Sequence, residues 1–333
     1  MGRLKQIAEE AGCSVSTVSR VLNNYKKDFS VNADLELKIR KVSEKLNYKP
    51  NPYWRTLRSK KSNLITILCR PISDFADHEK AKWAFIKTIR DAGYSEVVQY
   101  MDIENGDVHL PDLPSAGALL FDPGGESEGR ELVEKLEETG MPYVVLNSSA
   151  GPTGTSVLVD DQQQMYLLLD HLWSLGHRKI AYMNSWADDH YSVSERLKHY
   201  LAWTEAHDLE PIPGYDRMKT GAAQFLERTR QTDATAVVCY SAYRAMYLSR
   251  AAWNAGVSIP SDLSIVAIND NWAMPLLCPA VTCSVIPWEE LGNAAGETIL
   301  SILSDEGDFA GQQIRLPGHL EVRESTAAPG GTQ

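Results

Sequence analysis

The stretch Leu4-Lys-Gln-Ile-Ala-Glu-Glu-Ala-Gly-Cys-Ser-Val-Ser-Thr-Val-Ser-Arg-Val-Leu-Asn23 decides how the front of this chain folds. Its apolar residues recur at positions i, i+3, i+4 and i+7, which share one face of a helix. Gly12 permits a tight turn between two such runs, and Ser14 stands where the second run needs an N-cap. The pattern predicts two amphipathic helices, whose apolar faces carry Leu4, Ile7, Ala8 and Ala11 in the first and Val18, Val21 and Leu22 in the second.

A third helix is predicted from about Ala33 to Leu46, with Asn32 as its N-cap and an apolar face that completes a three-helix core. This front segment is basic. Residues 1–61 contain 14 Lys and Arg against 6 Asp and Glu, a formal charge of +8, so the other 272 residues carry −19 of the total of −11. A positive front and a negative remainder indicate that the front end binds a polyanion.

Small and hydroxyl side chains open the second helix, which lets that helix approach a DNA groove closely. In a helix-turn-helix, the first residues of the second helix face base edges, and the polar side chains around them hold phosphates. We predict base contacts by Val15, Ser16 and Arg20, in which Val15 touches a thymine methyl and Arg20 reaches a guanine. The alternatives are a generic helical bundle and an Arg20 that is only a surface charge. The predicted phosphate contacts are Thr17, Ser19, Asn23, Lys26 and Lys27.

Length and composition exclude several classes of protein. The 333 residues, 43% of them hydrophobic, suffice for two or three domains with their own cores. No apolar run approaches the ~18 residues that span a bilayer, and we expect a cytoplasmic protein. The five cysteines are widely spread without C-x-x-C spacing, which argues against a disulfide framework and a zinc site. We expect no cofactor and no metal.

Longer stretches resemble one known family. The segments "LKQIAEEAGCSVSTVSRVLN" and "VNADLELKIRKVSEKLNYKPNPYWRTLRSKKSNLI" resemble the headpiece and hinge of the lac repressor (LacI/GalR) family of bacterial transcription regulators. The motifs "SVLVDDQQQ", "LWSLGHRKIAYM", "AGVSIPSDLSIVAIND" and "PAVTCSVIPWEELG" resemble the effector-binding core of that family, in the same order. The resemblance covers about Arg3 to Arg323.

An Asn-Pro pair at 51–52 can begin a hinge helix, because a cap residue precedes proline at the first helical position. Only about two turns are available, so this helix is marginal in water and needs partners to order it. The resemblance implies that two hinge helices of a dimer pack together and insert Leu57 into the minor groove, where an apolar wedge kinks DNA. Trp54 stands where the family usually has the smaller alanine. We predict minor-groove contacts by Trp54, Arg55 and Leu57, with a flexible basic linker as the alternative.

From Asn63 onward, short apolar runs alternate with helical patterns, which indicates parallel sheets covered by helices. The predicted strands are 64–69, 117–121, 143–146, 180–183, 236–239 and 265–268, and the predicted helices are 79–92, 129–139, 161–175, 195–207 and 243–255. The alternation occurs on either side of about Val159, so we predict an α/β core of two doubly wound lobes with a cleft between them. The resemblance implies a periplasmic-binding-protein-like core whose chain crosses between lobes near Val159, Ile286 and Asp308.

The predicted domains follow from these boundaries. They are a headpiece at 1–48, a hinge helix and linker at 49–62, a first lobe at 63–159 plus about 287–307, a second lobe at 160–286 plus about 308–325, and a disordered tail at 326–333.

Ligands of doubly wound sheets bind beyond the carboxyl ends of the strands, and a two-lobed cleft presents such ends from both sides. The resemblance adds that the positions of Asn147, Arg196 and Asn269 contact effector in the family. Trp186 offers a face to a sugar ring, whereas Ser241 departs from the asparagine that sugar binders of the family often carry. Most of the candidate polar groups are those of Asp and Asn, which favours a neutral polyol or sugar, with an anionic effector as the alternative. Each of these residues can instead cap the helix that follows it. The predicted effector-binding residues are Arg70, Ser73, Asp122, Asn147, Ser185, Trp186, Arg196, Ser241, Asn269 and Asp270.

Two residue pairs invite a catalytic or metal-binding interpretation, namely Asp160-Asp161 and Asp189-His190. No phosphate loop, nucleophile elbow or ligand pattern surrounds them, so we predict no enzyme activity and a helix start at Asp160-Asp161. The predicted function is transcription regulation, as a homodimeric repressor associated with the nucleoid that binds a near-palindromic double-stranded DNA operator under control of a sugar-like effector. The alternatives are a corepressor-dependent regulator that responds to a nucleobase or another anionic metabolite, and a solute-binding protein without a DNA role.

Overall fold

The computed structural model describes residues 3–22, 31–46, 62–70, 76–101, 115–123, 126–185, 190–216, 221–306 and 309–330. The chain divides into two compact units, Met1–Asn63 and Leu64–Gln333, and each unit has its own apolar core. Among the described residues, no helix is long and apolar enough to cross a membrane.

Three helices form the first unit, namely α1 (Arg3–Ala11), α2 (Val15–Leu22) and α3 (Ala33–Lys45). Ile7, Val18 and Ile39, one from each helix, are fully buried in a single cluster. The side chain of Asn32 accepts hydrogen bonds from two backbone N–H groups of the first turn of α3, at 2.6 and 3.2 Å. Asn32 is therefore the N-cap of α3, as the sequence predicts. Because burying one such side chain stabilises the fold by about 1.5–3 kcal/mol, this small unit depends on few residues.

The second unit begins with the strand β1 and alternates between strands and helices to its end. Its elements in chain order are β1 (Leu64–Cys69), α4 (Ala76–Asp91), β2 (Ser95–Tyr100), β3 (Gly117–Phe121), α5 (Glu126–Thr139), β4 (Tyr143–Leu146), β5 (Ser156–Val159), α6 (Asp161–Ser174), β6 (Ile180–Ser185), α7 (Tyr191–Ala206), β7 (Ile212–Asp216), α8 (Gly221–Arg230), β8 (Ala236–Cys239), α9 (Ala242–Asn254), β9 (Ser264–Ile268), β10 (Thr282–Val285), α10 (Trp288–Leu303), β11 (Gln313–Leu316) and β12 (His319–Glu321).

The first lobe is a parallel sheet with the strand order β11-β5-β4-β3-β1-β2. Alternate residues of β1 serve opposite faces, as the two-residue period of a strand requires. Ile65 and Ile67 belong to the same buried cluster as α4 and α10, whereas Leu68 belongs to the cluster that includes α5. Helices therefore cover both faces, and this confirms the predicted doubly wound fold.

Helices α4 and α10 approach each other unusually closely at Gly292. A Cβ atom at this position would lie 2.0 Å from the carbonyl oxygen of Ala81. A second small residue of α10, Gly296, lies one turn further along against Thr88. The absence of side chains at these two positions allows the two helices to pack backbone to backbone.

The second lobe has the strand order β12-β10-β9-β8-β6-β7, and only β12 runs antiparallel to its neighbour. Along β6, Tyr182 packs with residues of α6 and α7 on one face, and Met183 packs with residues of α8 and α9 on the other. Asp160 caps α6 by accepting a hydrogen bond from the N–H of Gln163 at 3.0 Å. The pair Asp160-Asp161 therefore starts a helix, as predicted.

The chain crosses between the lobes at three places. The first crossing is at Asp160, between β5 and α6, and the second is at 286–287, between β10 and α10. The sequence places the third crossing near 308, and the structure corrects this. Strand β11 pairs with β5 in the first sheet, whereas β12 pairs with β10 in the second, so the third crossing is the Pro317-Gly318 pair.

The predicted disordered tail at 326–333 is also corrected, because its first residues are held by hydrogen bonds. The ring of His177 bonds to the carbonyl oxygen of Ala327 at 2.8 Å, and the N–H of Ala327 donates to Ser264 at 3.1 Å. The ring of His171 bonds to the hydroxyl of Thr326 at 3.0 Å. These contacts attach the tail to the second lobe, and residues 331–333 lie outside the described part of the chain.

Candidate functional site

Helix α2 presents two opposite faces. Val18 and Val21 are buried in the core of the first unit, whereas Ser16 and Arg20 are exposed and Val15 retains 43% of its accessible surface. An exposed valine at the start of a helix has no packing role in its own domain. The three residues predicted to contact bases therefore share the outward face of α2, and their contacts with DNA stay predictions.

A hydroxyl cluster holds the start of α2. The Oγ atom of Ser14 accepts a hydrogen bond from the N–H of Thr17 at 3.1 Å, which makes Ser14 the N-cap. The same atom lies 2.7 Å from the hydroxyl of Ser16 and 2.8 Å from that of Thr17. Gly12 has φ +74°, so the turn before this cap uses the left-handed backbone that glycine adopts without strain.

Of the predicted phosphate contacts, Thr17 and Ser19 lie half-buried on α2. Several other predicted residues lie outside the described part of the chain, namely Asn23, Lys26, Lys27, Trp54, Arg55, Leu57, Ser73 and Trp186.

Three predicted cleft residues follow strand ends in the left-handed backbone conformation. Asp122 follows β3 with φ +44°, Asn147 follows β4 with φ +59°, and Asn269 follows β9 with φ +67°. Asn and Asp adopt this conformation more readily than other side chains do, since their short polar groups bond locally. The first two belong to the first lobe and the third to the second lobe, so polar residues of both lobes end their strands in the same way.

His190 bonds across the cleft. This residue caps α7 in the second lobe, and its Nδ1 atom accepts from the N–H of Ser192 at 3.3 Å. A neutral ring then carries its proton on Nε2, and Nε2 donates to the carbonyl oxygen of Asn147 in the first lobe at 2.8 Å. Nε2 also lies 3.5 Å from a carboxylate oxygen of Asp122. His190, Asn147 and Asp122 therefore form a polar contact between the two lobes.

A second histidine and a tryptophan extend this contact. The Nδ1 atom of His78, in α4, lies 3.6 Å from the other carboxylate oxygen of Asp122. The ring of His78 packs edge-on against Trp288, with centroids 4.2 Å apart. The indole N–H of Trp288 donates to the side-chain oxygen of Asn269 at 3.3 Å, which connects α10 of the first lobe to the end of β9 in the second.

Arg196 is buried in an ion pair. Its Nε atom donates to Asp161 at 2.7 Å, its Nη1 atom donates to the carbonyl oxygen of Tyr240 at 2.8 Å, and the guanidinium lies over the Tyr240 ring. Burial disfavours the charged guanidinium, but the carboxylate of Asp161 outweighs burial, so the pKa of Arg196 is raised above its ordinary value. Arg196 thus lies in the wall of the second lobe with its charge already matched.

The remaining predicted effector residues are less closely connected. Ser185 accepts from the buried guanidinium of Arg244 at 2.9 Å. The carboxylate of Asp270 is engaged by both terminal nitrogens of Arg323, at 3.0 and 2.6 Å, which gives Asp270 a structural partner at the edge of the second sheet. Ser241 precedes α9 without a side-chain capping bond, and Arg70 is exposed after β1.

Sequence reasoning missed three side chains of the contact between the lobes, namely His78, His190 and Trp288. In the sequence, His190 drew attention only as part of the Asp189-His190 pair, for which a catalytic or metal-binding role was considered. Within the described ranges, no group of three or more His, Cys, Asp or Glu side chains has the arrangement of a metal site. The signal that would have found His190 is its position at the start of a helix that follows a strand, because such helix starts face the same cleft as strand ends.

A basic helix-turn-helix unit followed by a two-lobed core with a polar cleft defines a DNA-binding regulator with a separate ligand-binding domain. Residues 3–51 match the family described as "Bacterial regulatory proteins, lacI family", and residues 169–326 match the "Periplasmic binding protein-like domain". The chain belongs to the lac repressor (LacI/GalR) family of DNA-binding transcription regulators, as its sequence motifs predict.

Full-length relatives have the same organisation. The chain is 25% identical over 335 residues to catabolite control protein A of Priestia megaterium, covering 96% of this chain and 98% of that protein. A structure of the lac repressor dimer bound to operator and the anti-inducer ONPF matches with a TM-score of 0.83 at 22% identity, covering 97% of this chain and 98% of that chain. A complex of the transcriptional regulator CelR with cellobiose matches with a TM-score of 0.66 at 20% identity, covering 97% and 99%. These relatives are transcription regulators, and none is described as an enzyme.

Proposed function

We propose that this regulator is a repressor whose binding to operator DNA is controlled by a sugar or sugar derivative in the cleft between the two lobes. The observation that carries the proposal is the hydrogen bond of His190 to the carbonyl oxygen of Asn147 beside Asp122. It brings polar groups of both lobes within reach of one small molecule. A ligand that replaces such contacts changes the relative free energies of the open and closed lobes, which is the requirement for allosteric control.

The chemistry of the cleft suits a hydroxyl-rich ligand. The carboxylate of Asp122 accepts hydrogen bonds, the amides of Asn147 and Asn269 both donate and accept, and hydroxyl groups complement either role. The buried indole of Trp288 lies next to Asn269, to which its N–H donates a hydrogen bond. Because Asp161 already balances the charge of Arg196, this arginine does not require an anionic ligand. The likeness to CelR, which was solved with cellobiose, supports a sugar.

We propose that the chain acts as a homodimer. Both lobes expose large apolar side chains, namely Trp83 and Tyr100 in the first lobe and Trp272 and Leu276 in the second. The lac repressor whose solved structure matches this chain is a dimer, which supports the same assembly here. Two headpieces related by two-fold symmetry would read the two half-sites of a near-palindromic operator, with α2 in the major groove.

The first experiment selects duplexes from a random pool with the purified protein and compares Arg20→Ala with Lys41→Ala, an exposed cation on α3. Loss of a base contact should reduce discrimination between half-sites by about 1–3 kcal/mol. Lys41→Ala, which removes a cation that is not among the predicted contacts, should leave this discrimination unchanged, because a change of charge alone affects binding to all sequences equally. A protein that prefers no duplex over random competitor, or an Arg20→Ala variant with unchanged discrimination, would contradict the DNA-reading proposal.

The second experiment measures thermal shifts with sugars, polyols, nucleosides and sugar acids. A ligand at 100 times its Kd stabilises the native state by about 2.7 kcal/mol. The sugar that raises the melting temperature should do so far less in His190→Ala, and equally well in His319→Ala, in which an exposed imidazole of β12 is removed. Stabilisation by nucleosides alone would reject the sugar proposal in favour of a nucleobase effector. Stabilisation by sugar acids alone would reject a neutral sugar in favour of an anionic derivative.

A further inference from the structure

The three crossings between the lobes meet at the first turn of α6. The first crossing leads directly into this turn, where Asp160 is the N-cap. The backbone N–H of Asp160 also donates to the carbonyl oxygen of Leu316 at 3.0 Å, immediately before the third crossing. The first and third crossings are therefore joined by a backbone hydrogen bond.

Gln163 binds the third crossing with both ends of its amide. Its Oε1 atom accepts from the N–H of Gly318 at 3.0 Å, and its Nε2 atom donates to the carbonyl oxygen of Gly318 at 3.0 Å. A side-chain amide that matches a backbone N–H and C=O in this way imitates the pairing of two strands. The orientation of the amide is fixed by the two backbone groups, so the assignment of its oxygen and nitrogen is settled by the geometry.

Gln164, the next residue, binds the second crossing. It is fully buried, and its Nε2 atom donates to the carbonyl oxygen of Val285, the last residue of β10, at 3.3 Å. Gly318 lies against both groups, since a Cβ atom there would be 1.9 Å from the Gln164 amide nitrogen and 2.0 Å from the Val285 oxygen. Only glycine lets the second and third crossings approach so closely.

We propose that Gln163 and Gln164 form a clamp that holds the three crossings together and so sets the angle between the lobes. Lobe movements in two-domain proteins are absorbed by a few residues at element ends, and here those residues are tied to one another by side chains. The clamp confines any opening of the cleft to rotation about the contact at Gly318. Gln163 and Gln164 are thus positioning residues, and they follow Asp161 of the buried Asp161–Arg196 pair by two and three residues along α6.

The run Gln162-Gln163-Gln164 offers a matched control, because Gln162 lies in the same turn and is exposed. The interlobe distance can be measured by double electron–electron resonance with spin labels at Glu138→Cys in α5 and Ala223→Cys in α8, both exposed positions. The background is Cys13→Ser/Cys278→Ser, which leaves only the three buried cysteines. An excess of unlabelled protein removes distances between subunits of a dimer.

We expect Gln163→Ala and Gln164→Leu to broaden the distance distribution, and Gly318→Ala to shift its mean, whereas Gln162→Ala leaves both unchanged. Distributions for Gln163→Ala and Gln164→Leu that equal that of Gln162→Ala would overturn the proposal. So would a lower melting temperature with unchanged distances, since the two glutamines would then only stabilise the fold. Should Gln164→Leu fail to fold, the half-buried Gln163 decides the question through Gln163→Ala. The measurement uses neither DNA nor effector, so its failure leaves the proposed function untouched.

Discussion

Replacing Asp161 by asparagine tests the buried ion pair most directly. Asp161 has 0% of its surface exposed, and its Oδ1 atom accepts from Arg196 at 2.7 Å. Asparagine keeps the shape of the side chain but leaves the guanidinium buried without a counter-charge. Removing one partner of a buried pair costs about 3–5 kcal/mol, and the lost carboxylate at the start of α6 adds about 0.3–1 kcal/mol. Against a total stability of about 5–15 kcal/mol, this is a large fraction.

The matched substitution is Asp233→Asn, because Asp233 pairs with Lys179 at 3.2 Å on the surface of the same lobe. An exposed pair contributes about 0–1 kcal/mol, and asparagine tolerates the left-handed backbone that Asp233 adopts. Urea unfolding at pH 7, followed by circular dichroism, gives the free energy of unfolding of each variant from the midpoint of its transition and the slope of free energy against urea concentration. The double variant Asp161→Asn/Arg196→Met should recover part of the loss, since it removes the unpaired charge. A cost of Asp161→Asn no larger than that of Asp233→Asn would refute the reasoning.

Three further predictions concern the pH dependence, the headpiece and the packing of α10. Burial lowers the pKa of His171 and His177, so the folded protein favours the neutral rings. The urea midpoint should therefore be constant above the unfolded pKa of about 6.5 and should fall as the pH drops below it. His177→Gln should reduce this pH dependence, and an unchanged dependence of the midpoint on pH would contradict the role of the ring. Ile39→Ala should lower the free energy of unfolding of the headpiece by about 2–5 kcal/mol and abolish DNA binding, while the melting temperature of the core stays the same. Retained DNA binding at 25 °C would argue against the small shared core of the three helices. Gly292→Ala should destabilise the first lobe by about 1–3 kcal/mol, because its Cβ would overlap the Ala81 carbonyl. An unchanged melting temperature in a calorimetric scan would show that α4 and α10 separate freely.

The sequence predicts six of the twelve strands that the described residues of the core form. All six predicted strands are present, since β1, β3, β4, β6, β8 and β9 contain short, mostly apolar runs that are almost completely buried in the sheets. Strand β2 is only half-buried, and β11 and β12 alternate exposed and half-buried residues, so none of these three carries that signal. The third crossing was misplaced for the same reason, because its position depends on the pairing of β11. The buried strands β5 and β10 and the edge strand β7 were also not predicted.

The helices of the core were also predicted only in part. The five predicted helices of the core are present with boundaries shifted by a few residues, whereas α8 and α10 were missed, although α10 is strongly apolar on one face. Its Gly292 and Gly296 resemble helix breakers in a sequence, and only the close approach of α4 explains them. A packing partner far away in the chain is not visible in local periodicity.

For the candidate site, the rule that ligands bind beyond strand ends identified Asp122, Asn147 and Asn269, which the structure places around the contacts between the lobes. The rule did not identify His78 or Trp288, because these residues reach the cleft from helices. It also selected Asp270, whose carboxylate is engaged by Arg323. A strand end indicates where a polar side chain lies, but the partner of that side chain comes from another part of the chain.

The left-handed strand ends restrict how this cleft can be redesigned as a biosensor. At Asp122, Asn147 and Asn269, a branched or bulky replacement would add a backbone cost of about 1–2 kcal/mol to any change in ligand affinity. Libraries at these positions should therefore be limited to Asn, Asp and Gly. Ser241, which has an ordinary extended backbone and makes no capping bond with its side chain, is the better place to introduce new chemistry.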